Sequence, residues 1–311
     1  MFSGRIVKMP NSGTACPIIG AGAQAPDVGE ERTTGAKKWL VTALKIGYRH
    51  IDTAYSYGTE KAVGEAIIEA GIDREDVFVT SKLPSNHHGR VLESIQESLD
   101  NLGFKWLDMY LMHWPNSVPY EEGGDPEPKN PDGTLQVCEH PTINETWEQI
   151  EECLRKSKCE AIGVSNFSIK TLKELLKTAK VKPAMNQVEM HPYLAQNDLL
   201  AFCKERDIAV AAYAPSGYDA VRNDPVIVDL AAKYNATPNQ IILAWHLSRN
   251  VVVIPKSTNE ERQKENFNLP TLEDEDIKKI DALDRGQRIC NKADEYGHVN
   301  GWTYEQLGWQ I

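Results

Sequence analysis

The chain has 311 residues, of which 41% are hydrophobic and 25% are charged, a composition typical of a folded globular protein. Its net charge of −11 would repel nucleic acid and anionic membranes, although a local basic pocket could still bind a small anion. No stretch is apolar enough to span a bilayer, and the opening MFSGRIVKMPNSG lacks the apolar segment of a secretion signal. The length fits two ordinary domains or a single α/β barrel.

The cysteines and histidines show no metal-binding pattern. There is no C-x-x-C and no pair with helical metal-ligand spacing, so we expect no metal and a reduced, cytoplasmic protein. We interpret His50 as a buried strand residue, and His87 with His88 as a solvated pair in a loop. The cysteines are Cys16, Cys138, Cys153, Cys159, Cys203 and Cys290.

Short apolar segments alternate with helical patterns along the chain. One helical face is formed by Val91, Ile95, Leu99 and Leu102, and another includes Leu172, Leu175, Leu176 and Ala179. Alternating strands and helices predict a parallel sheet, and strands that are apolar throughout are buried on both faces. The eight predicted strands are PIIGA, HIDT, VFVTSK, MYLMHW, AIGVS, MNQVE, IAVAAYA and VVVIPKS.

The segments between and after the strands add further predictions. Two helices, 225–234 and 238–249, lie between the seventh and eighth strands, and Thr237 has the sequence context of an N-cap. A last helix is expected near 274–284. The irregular segment 115–141 is a long loop on the active-site side, and the tail from about residue 285 is expected to lie over the barrel.

A closed (β/α)8 barrel and an open doubly wound sheet both fit eight strands. Polar residues decide between them, because they follow the carboxyl ends of most strands, where a barrel collects its catalytic groups. An open sheet would carry such residues only beside its switch point. We therefore predict one (β/α)8 barrel spanning 1–311. The polar residues are Asp52, Lys82, His113, Ser165, Gln187, Tyr213 and Lys256.

The stretch GAGAQA at 20–25 has the spacing of a dinucleotide-binding fingerprint. Such a fingerprint must open a helix that points its N-terminus at the pyrophosphate. Pro26 and Gly29 follow at once, so we expect no helix to start there and reject a Rossmann interpretation.

Three successive strands place acid–base groups around one point. Asp52 follows the apolar Ile51, and a buried carboxylate needs a cation, which Lys82 can supply from the next strand. Lys82 would lower the pKa of a neighbouring Tyr57 and make it a usable general acid. His113, one strand further on, could donate to a substrate oxygen.

The segments around these residues resemble the signature segments of the aldo-keto reductases, most closely the yeast and fungal aldose and glycerol-type reductases. They are GYRHIDTAYSYGTEKAVGEAI, LDMYLMHWP, GVSNF, NQVEMHPYL and VVVIPKS followed by ER and EN, and the resemblance covers about residues 15–285. It implies a barrel that reduces carbonyls with NADPH and uses Asp52, Tyr57, Lys82 and His113 as the catalytic tetrad.

The resemblance also implies a cofactor site. Ser165, Asn166 and Gln187 would hold the carboxamide, with Tyr213 stacked on the nicotinamide, and Lys256, Ser257 and Arg262 would bind the 2′-phosphate of NADP, with Glu265 and Asn266 near the adenine. The other residues expected at the cofactor are Gly22, Ala23, Ala214, Ser216, Thr258 and Asn259.

The chain departs from the family where the substrate is expected. Gln24 stands where the family usually has a tryptophan, which should widen and polarise the pocket, and Trp114 or Trp302 could fill the gap. The loop YAPSG replaces the commoner YSPLG. We predict reduction of aldoses, glyceraldehyde or aromatic aldehydes, with a ketone or keto-lactone reductase and a cofactor-holding regulatory subunit as alternatives. The sequence predicts no oligomeric state.

Overall fold

Eight parallel strands form the centre of the molecule in a computed structural model that describes residues 5–10, 12–25 and 29–309. Each strand pairs with its neighbours in chain order, and eight strands were predicted, although the first, PIIGA, overlaps its observed counterpart only at Ala21. They are β3 (Ala21–Gly22), β4 (His50–Asp52), β5 (Phe78–Leu83), β6 (Leu107–Met112), β7 (Cys159–Ser165), β8 (Met185–Glu189), β9 (Ala209–Tyr213) and β10 (Val252–Ile254).

The first and last strands meet and close the sheet into a barrel. Ile19 lies opposite Val253 in a parallel bridge, the N–H of Gly20 donates to the carbonyl of Val253 at 2.8 Å, and the N–H of Val253 donates to the carbonyl of Ile18 at 2.9 Å. The predicted (β/α)8 barrel is therefore confirmed. An open doubly wound sheet is wrong for this chain, because such a sheet leaves two unpaired edges.

The strands are buried because one face packs inside the barrel and the other packs against helices. Every residue of β5, β6 and β8 is buried. The polar residues at the carboxyl ends of these strands are therefore buried as well, which requires each of them to find a partner. The contacts that satisfy these buried polar residues bring the residues of the candidate site together.

The helices surround the barrel at close to the predicted positions. Val91, Ile95, Leu99 and Leu102 all lie on the buried face of α3, and Thr237 caps α9 in a complete capping box. The helices of the described residues are α1 (Gly29–Ile46), α2 (Glu60–Ala70), α3 (Val91–Leu102), α4 (Ile143–Arg155), α5 (Ile169–Leu175), α6 (Asn197–Lys204), α7 (Tyr218–Arg222), α8 (Pro225–Lys233), α9 (Pro238–Ser248), α10 (Glu260–Phe267), α11 (Asp274–Asp281) and α12 (Tyr304–Leu307).

Two local predictions need correction, and one short helix was not predicted. No helix was expected to start after GAGAQA, but α1 begins at Gly29. Pro26, on which part of that expectation depended, lies outside the described residues. The apolar face expected to reach Ala179 is not helical throughout, because α5 ends at Leu175. The short α7 was not predicted, since five residues are too few to show a helical period.

A two-stranded hairpin at the amino-terminal end of the barrel was also not predicted. Its strands β1 (Ile6–Lys8) and β2 (Ala15–Pro17) pair antiparallel, and Arg5 donates to the carbonyl of Leu247 at 2.9 Å. The strands are only three residues long, which is too short for a period-two pattern to be recognised.

The carboxyl-terminal tail lies at the other end of the barrel, where it contacts residues that follow the carboxyl ends of the strands. A small hairpin of β11 (His298–Val299) and β12 (Trp302–Thr303) precedes α12. The side-chain amide of Asn116 donates to the carbonyl of Asn300 at 2.7 Å, and the Trp114 and Trp309 rings lie 6.1 Å apart between centroids. The tail and the loop 115–141 are thus in contact with each other.

The interpretation of His87 and His88 as a solvated pair is wrong, because both side chains are buried. The Nδ1 of His87 lies 2.9 Å from the Ser94 hydroxyl, and the Nδ1 of His88 lies 3.3 Å from the Thr146 hydroxyl. Burial lowers the pKa of His87 to about 4 and that of His88 to about 3. His50 is buried in β4, as predicted.

Helices α2 and α3 approach each other at Gly64, where a Cβ would lie 2.0 Å from the carbonyl oxygen of Leu102. We expect Gly64→Ala to lower the free energy of unfolding by about 2 kcal/mol, because the backbones must separate. Urea denaturation measures the change. Gly89→Ala is the control, with nothing within 4 Å of its Cβ and an expected change within about 0.5 kcal/mol. Equal stability of the two variants would contradict the close approach.

Candidate active site

A buried ion pair lies at the carboxyl ends of β4 and β5. The Nζ of Lys82 is 2.6 Å from Oδ1 of Asp52, and the side-chain amide of Gln187 donates to Oδ2 of Asp52 at 2.7 Å. The Lys82 side chain is 0% exposed. Both carboxylate oxygens are therefore occupied, as a charge buried this deeply requires.

Tyr57 is brought to this ion pair by a turn that follows β4. Residues Tyr55–Tyr57 form one turn of 3₁₀ helix, which ends at Gly58 in the left-handed region with φ 63°. The Tyr57 hydroxyl lies 3.4 Å from Nζ of Lys82, and Nζ also donates to the carbonyl of Thr53 at 2.8 Å. Lys82 thus has three oxygen partners, each supplied by the segment 52–57.

The pKa of Tyr57 differs from the sequence-based expectation. Burial raises the pKa of this phenol, and the charge of Lys82 opposes the rise without overcoming it. The expectation that the pKa of Tyr57 is lowered is therefore wrong, because desolvation destabilises the phenolate more than the charge of one lysine stabilises it. Burial would lower the pKa of Lys82, but Asp52 and Tyr57 outweigh it and raise that pKa. At neutral pH, Tyr57 keeps its proton and Lys82 its charge.

His113 faces Tyr57 from the residue that follows β6. The two rings are 5.7 Å apart between centroids in an edge-on arrangement. The main chain of His113 is fixed on both sides, since its N–H donates to the carbonyl of Leu83 and its carbonyl accepts from the side-chain amide of Asn166 at 2.9 Å. Burial, with a smaller effect of Lys82, lowers the pKa of His113 to about 3, so the imidazole is neutral at pH 7.

Asp52, Tyr57 and His113 line a cavity of about 550 Å³ at the carboxyl ends of the strands, whereas the fully buried Lys82 is not part of the lining. Hydroxyl and amide side chains line this cavity together with Tyr57 and His113, and Lys256 contributes to the lining from the segment that follows β10. The lining residues are Gly22, Ala23, Gln24, Asp52, Tyr57, His113, Trp114, Ser165, Asn166, Gln187, Tyr213, Ala214, Pro215, Ser216, Tyr218, Arg222, Ile254, Pro255, Lys256, Cys290 and Asn291.

Within residues 5–10, 12–25 and 29–309, no three histidine, cysteine or acidic side chains come together as a metal site would need. No helix of the same residues is long and apolar enough to cross a membrane. The polar groups of the cavity are instead hydrogen-bond donors and acceptors together with two cations, Arg222 and Lys256. This set suits an organic anion with amide and phosphate groups.

A model of the Aldo/keto reductase family matches residues 19–285, which is most of the chain. The chain belongs to the aldo/keto reductase family. The yeast glycerol 2-dehydrogenase (NADP(+)) of Saccharomyces cerevisiae is 41% identical over 280 residues, 86% of this chain and 90% of that protein. Human aldo-keto reductase family 1 member A1 is 39% identical over 298 residues, covering 89% of each chain.

A solved member of the family shares the fold. The aldose reductase structure from Schistosoma japonicum superposes with a TM-score of 0.86 at 31% sequence identity, and the match covers 94% of this chain and 97% of that one. The resemblance of the sequence to the aldo-keto reductases is therefore confirmed at the level of family and fold.

The cavity includes many of the residues for which the family resemblance implied a role. Gly22, Ala23, Ser165, Asn166, Gln187, Tyr213, Ala214, Ser216 and Lys256, expected at the cofactor, all line it, as do Gln24 and Trp114, expected at the substrate. Gln187 already donates to Asp52, and Asn166 accepts from the Tyr213 hydroxyl at 2.5 Å. These side chains are thus held in place by one another.

The remaining expected residues lie outside this cavity. Trp302 packs against Val299, Leu307 and Trp309 in a small hydrophobic cluster of the tail and is not among the residues that line the cavity. The remaining expected cofactor residues follow β10, on the turn before α10 and on α10 itself. Asn259 caps α10 by accepting from the N–H of Arg262, Asn266 is buried, and Ser257, Thr258 and Glu265 belong to the same segment.

Seven lining residues were not predicted from the sequence: Pro215, Tyr218, Arg222, Ile254, Pro255, Cys290 and Asn291. Pro215 and Tyr218 flank predicted residues of the segment AYAPSGY, and Ile254 with Pro255 precedes Lys256, so proximity in sequence could have found them. Cys290 and Asn291 come from the aperiodic tail, where no local pattern marks a position at the site.

Lys82→Met should destabilise the protein, because it leaves Asp52 buried without its cation. We expect a loss of about 3–5 kcal/mol in the free energy of unfolding. The double variant Asp52→Asn/Lys82→Met should recover much of that loss, since no unpaired charge remains. Urea denaturation compares the three proteins. A double variant less stable than Lys82→Met would contradict the paired burial.

His113 should contribute to acid destabilisation, because its pKa is about 3 in the folded protein and about 6.5 when unfolded. Between these values the unfolded chain binds a proton that the folded chain does not, so stability falls as the pH falls. Between pH 7 and pH 5, His113→Asn should lose about 1–2 kcal/mol less than the wild type. Urea midpoints at both pH values measure this, and identical pH dependence would show that the imidazole titrates normally.

Proposed function

We propose that this aldo/keto reductase reduces small aldehydes and ketones to alcohols with NADPH, with Tyr57 as the general acid. The single observation that carries the proposal is the placement of Tyr57 beside Lys82, at 3.4 Å, with the Lys82–Asp52 ion pair beneath it and His113 across the same cavity. Bound NADPH supplies the hydride. The protein supplies the proton and the orientation of the carbonyl.

Tyr57 donates its proton to the carbonyl oxygen as the carbonyl carbon is reduced. The raised pKa keeps the hydroxyl protonated at neutral pH, so the acid is present in its donating form. The phenolate that remains after donation would be unstable in a buried site without a nearby positive charge. Lys82 supplies that charge, and Asp52 holds Lys82 in place.

His113 orients the carbonyl as a neutral donor. With a pKa of about 3, its imidazole carries no charge at neutral pH. A neutral ring can donate one N–H to the carbonyl oxygen without placing a second positive charge beside Lys82. The fixed main chain of His113 keeps the ring opposite Tyr57, so both groups can reach the same oxygen.

The cofactor is proposed to be NADPH rather than NADH. Lys256, Ser257 and Arg262 would hold the 2′-phosphate at the N-terminus of α10, where the helix dipole favours an anion, with Thr258 and Asn259 beside it. Glu265 and Asn266 would lie near the adenine. The name of the yeast relative, glycerol 2-dehydrogenase (NADP(+)), supports this choice.

The substrate is proposed to be a small carbonyl with polar groups, such as an aldose or glyceraldehyde, although an aromatic aldehyde also fits Trp114. Gln24 and Asn291 bring amide groups to the cavity that contains Tyr57 and His113. We also propose a cytoplasmic location, supported by the six cysteines, all of which are free thiols.

The proposal is tested by mixing the purified protein with NADPH and glyceraldehyde and following the nicotinamide absorbance. We expect turnover that falls by about 10²–10⁴-fold in Tyr57→Phe, because the general acid is lost. Binding of NADPH, measured by quenching of tryptophan fluorescence, should be unchanged in this variant. NADH should bind more weakly than NADPH.

Two other outcomes lead to different functions. Turnover only with ketones or keto-lactones in a wider panel of carbonyls would indicate a dedicated ketone reductase. Tight binding of NADPH without turnover of any carbonyl would contradict the catalytic proposal and indicate a cofactor-binding regulatory subunit.

A further inference from the structure

A second buried carboxylate, Glu189, lies at the end of β8, two residues beyond Gln187. It is 0% exposed and takes no part in the Lys82–Asp52 ion pair. Its Oε1 accepts the backbone N–H of Ile289 at 2.6 Å and that of Cys290 at 3.1 Å. Its Oε2 accepts the N–H of Asn291 at 3.3 Å. Three successive amides of the tail therefore converge on a single carboxylate.

Two side chains complete the surroundings of Glu189. The Nε2 of His191 lies 3.1 Å from Oε1, and Nη1 of Arg288 lies 3.8 Å from Oε2. Burial would raise the pKa of Glu189, but these donors outweigh it and lower the pKa to about 2. Glu189 is therefore an anion at neutral pH, and its charge is matched by donors that come largely from the tail.

The segment held by Glu189, residues 288–291, reaches the cavity of the candidate active site. Cys290 and Asn291 line that cavity. The side-chain amide of Asn291 donates to the Tyr213 hydroxyl, which in turn donates to Oδ1 of Asn166. Since Asn166 also donates to the carbonyl of His113, hydrogen bonds connect the tail to the residue opposite Tyr57.

We propose that Glu189 is a positioning residue for the reaction, whose carboxylate holds segment 288–291 as one wall of the substrate pocket. This inference rests on the proposed function and extends it to a residue that touches neither substrate nor cofactor. Segment 288–291 has no sheet partner, and three successive N–H groups of it donate to Glu189. The Tyr304 hydroxyl, which donates to the carbonyl of Asn291, and the Trp309 ring, which lies against Arg288, add contacts from within the tail itself, so Glu189 is the link from this wall to strand β8. Through Asn291, the same anchor holds the Tyr213 hydroxyl.

A neutral side chain of the same shape could not do this. A glutamine offers one acceptor oxygen, and its NH₂ group would face a backbone N–H that also needs an acceptor. The mismatch would push the tail away from β8 and widen the pocket. Ser257 and Arg262, which are proposed to hold the 2′-phosphate, do not line the cavity that segment 288–291 reaches, so binding of the cofactor should be affected far less than binding of the carbonyl.

The test compares wild type with Glu189→Gln. At saturating NADPH, we expect the KM for glyceraldehyde to rise about tenfold. The Kd of NADPH, from tryptophan fluorescence quenching, should stay within about twofold, a change near the usual scatter of single substitutions. Hydrogen exchange of the amides of residues 289–291 should become faster. Glu189→Asp keeps the charge at a shorter reach and should give an intermediate KM.

Glu151→Gln is the matched control. Glu151 is also a buried carboxylate, and its Oε1 accepts the backbone N–H groups of Lys180 at 2.7 Å and Val181 at 2.9 Å. These amides precede β8, at the opposite end of the barrel from the cavity. We expect this variant to lose stability while it keeps the wild-type KM, since it damages no wall of the pocket.

The results separate a positioning role from a purely structural one. A wild-type KM in Glu189→Gln, or an equal rise in Glu151→Gln, would overturn the inference. If Glu189→Gln does not fold, Glu189→Asp decides: faster exchange at 289–291 with an unchanged KM would overturn it, and a raised KM would support it. Absence of turnover in the wild type would contradict the proposed function instead, and unchanged exchange at 289–291 in Glu189→Gln would still contradict the anchor.

Discussion

The buried contact between Lys82 and Asp52 is the constraint on which the candidate site depends. A lysine and an aspartate removed from water cost several kcal/mol each, and only their mutual contact and further hydrogen bonds offset that cost. Asp52 needs Gln187 for its second oxygen, and Lys82 needs Tyr57 and the carbonyl of Thr53. The contacts that stabilise this one ion pair therefore also fix the position of Tyr57, the proposed general acid.

The barrel allows these buried groups to find hydrogen-bond partners, because it brings strands that are distant in the chain to one point. Asp52 and Gln187 are 135 residues apart and meet at 2.7 Å across the barrel. Glu189, on the same strand as Gln187, binds the tail 100 residues later. Strand β8 thus contributes to both the ion pair and the outer wall of the cavity. The rigid sheet positions the polar residues at the strand ends, and the loops and tail shape the cavity above them.

The sequence predicted the eight strands and helices such as α3, α8, α9 and α11, because burial on both faces and the helical period are local patterns. It also selected Asp52, Tyr57, Lys82 and His113, since polar residues at the ends of buried strands are conspicuous. It failed at His87 and His88, whose polar loop contacts α3 and α4 and is buried by them. It failed at Asn291 as well, because an aperiodic tail carries no local signal of where it docks.

The sequence by itself determined the barrel, the family and the order of the polar residues at the strand ends, because these follow from hydrophobic pattern and residue type. Only the tertiary structure decided the direction of the pKa shift of Tyr57, the use of Gln187 as a partner of Asp52, and the binding of the tail by Glu189. The physical reason is the same in each case. Desolvation and hydrogen-bond pairing depend on which distant segments contact each other, and those contacts cannot be predicted from any single local segment of the sequence.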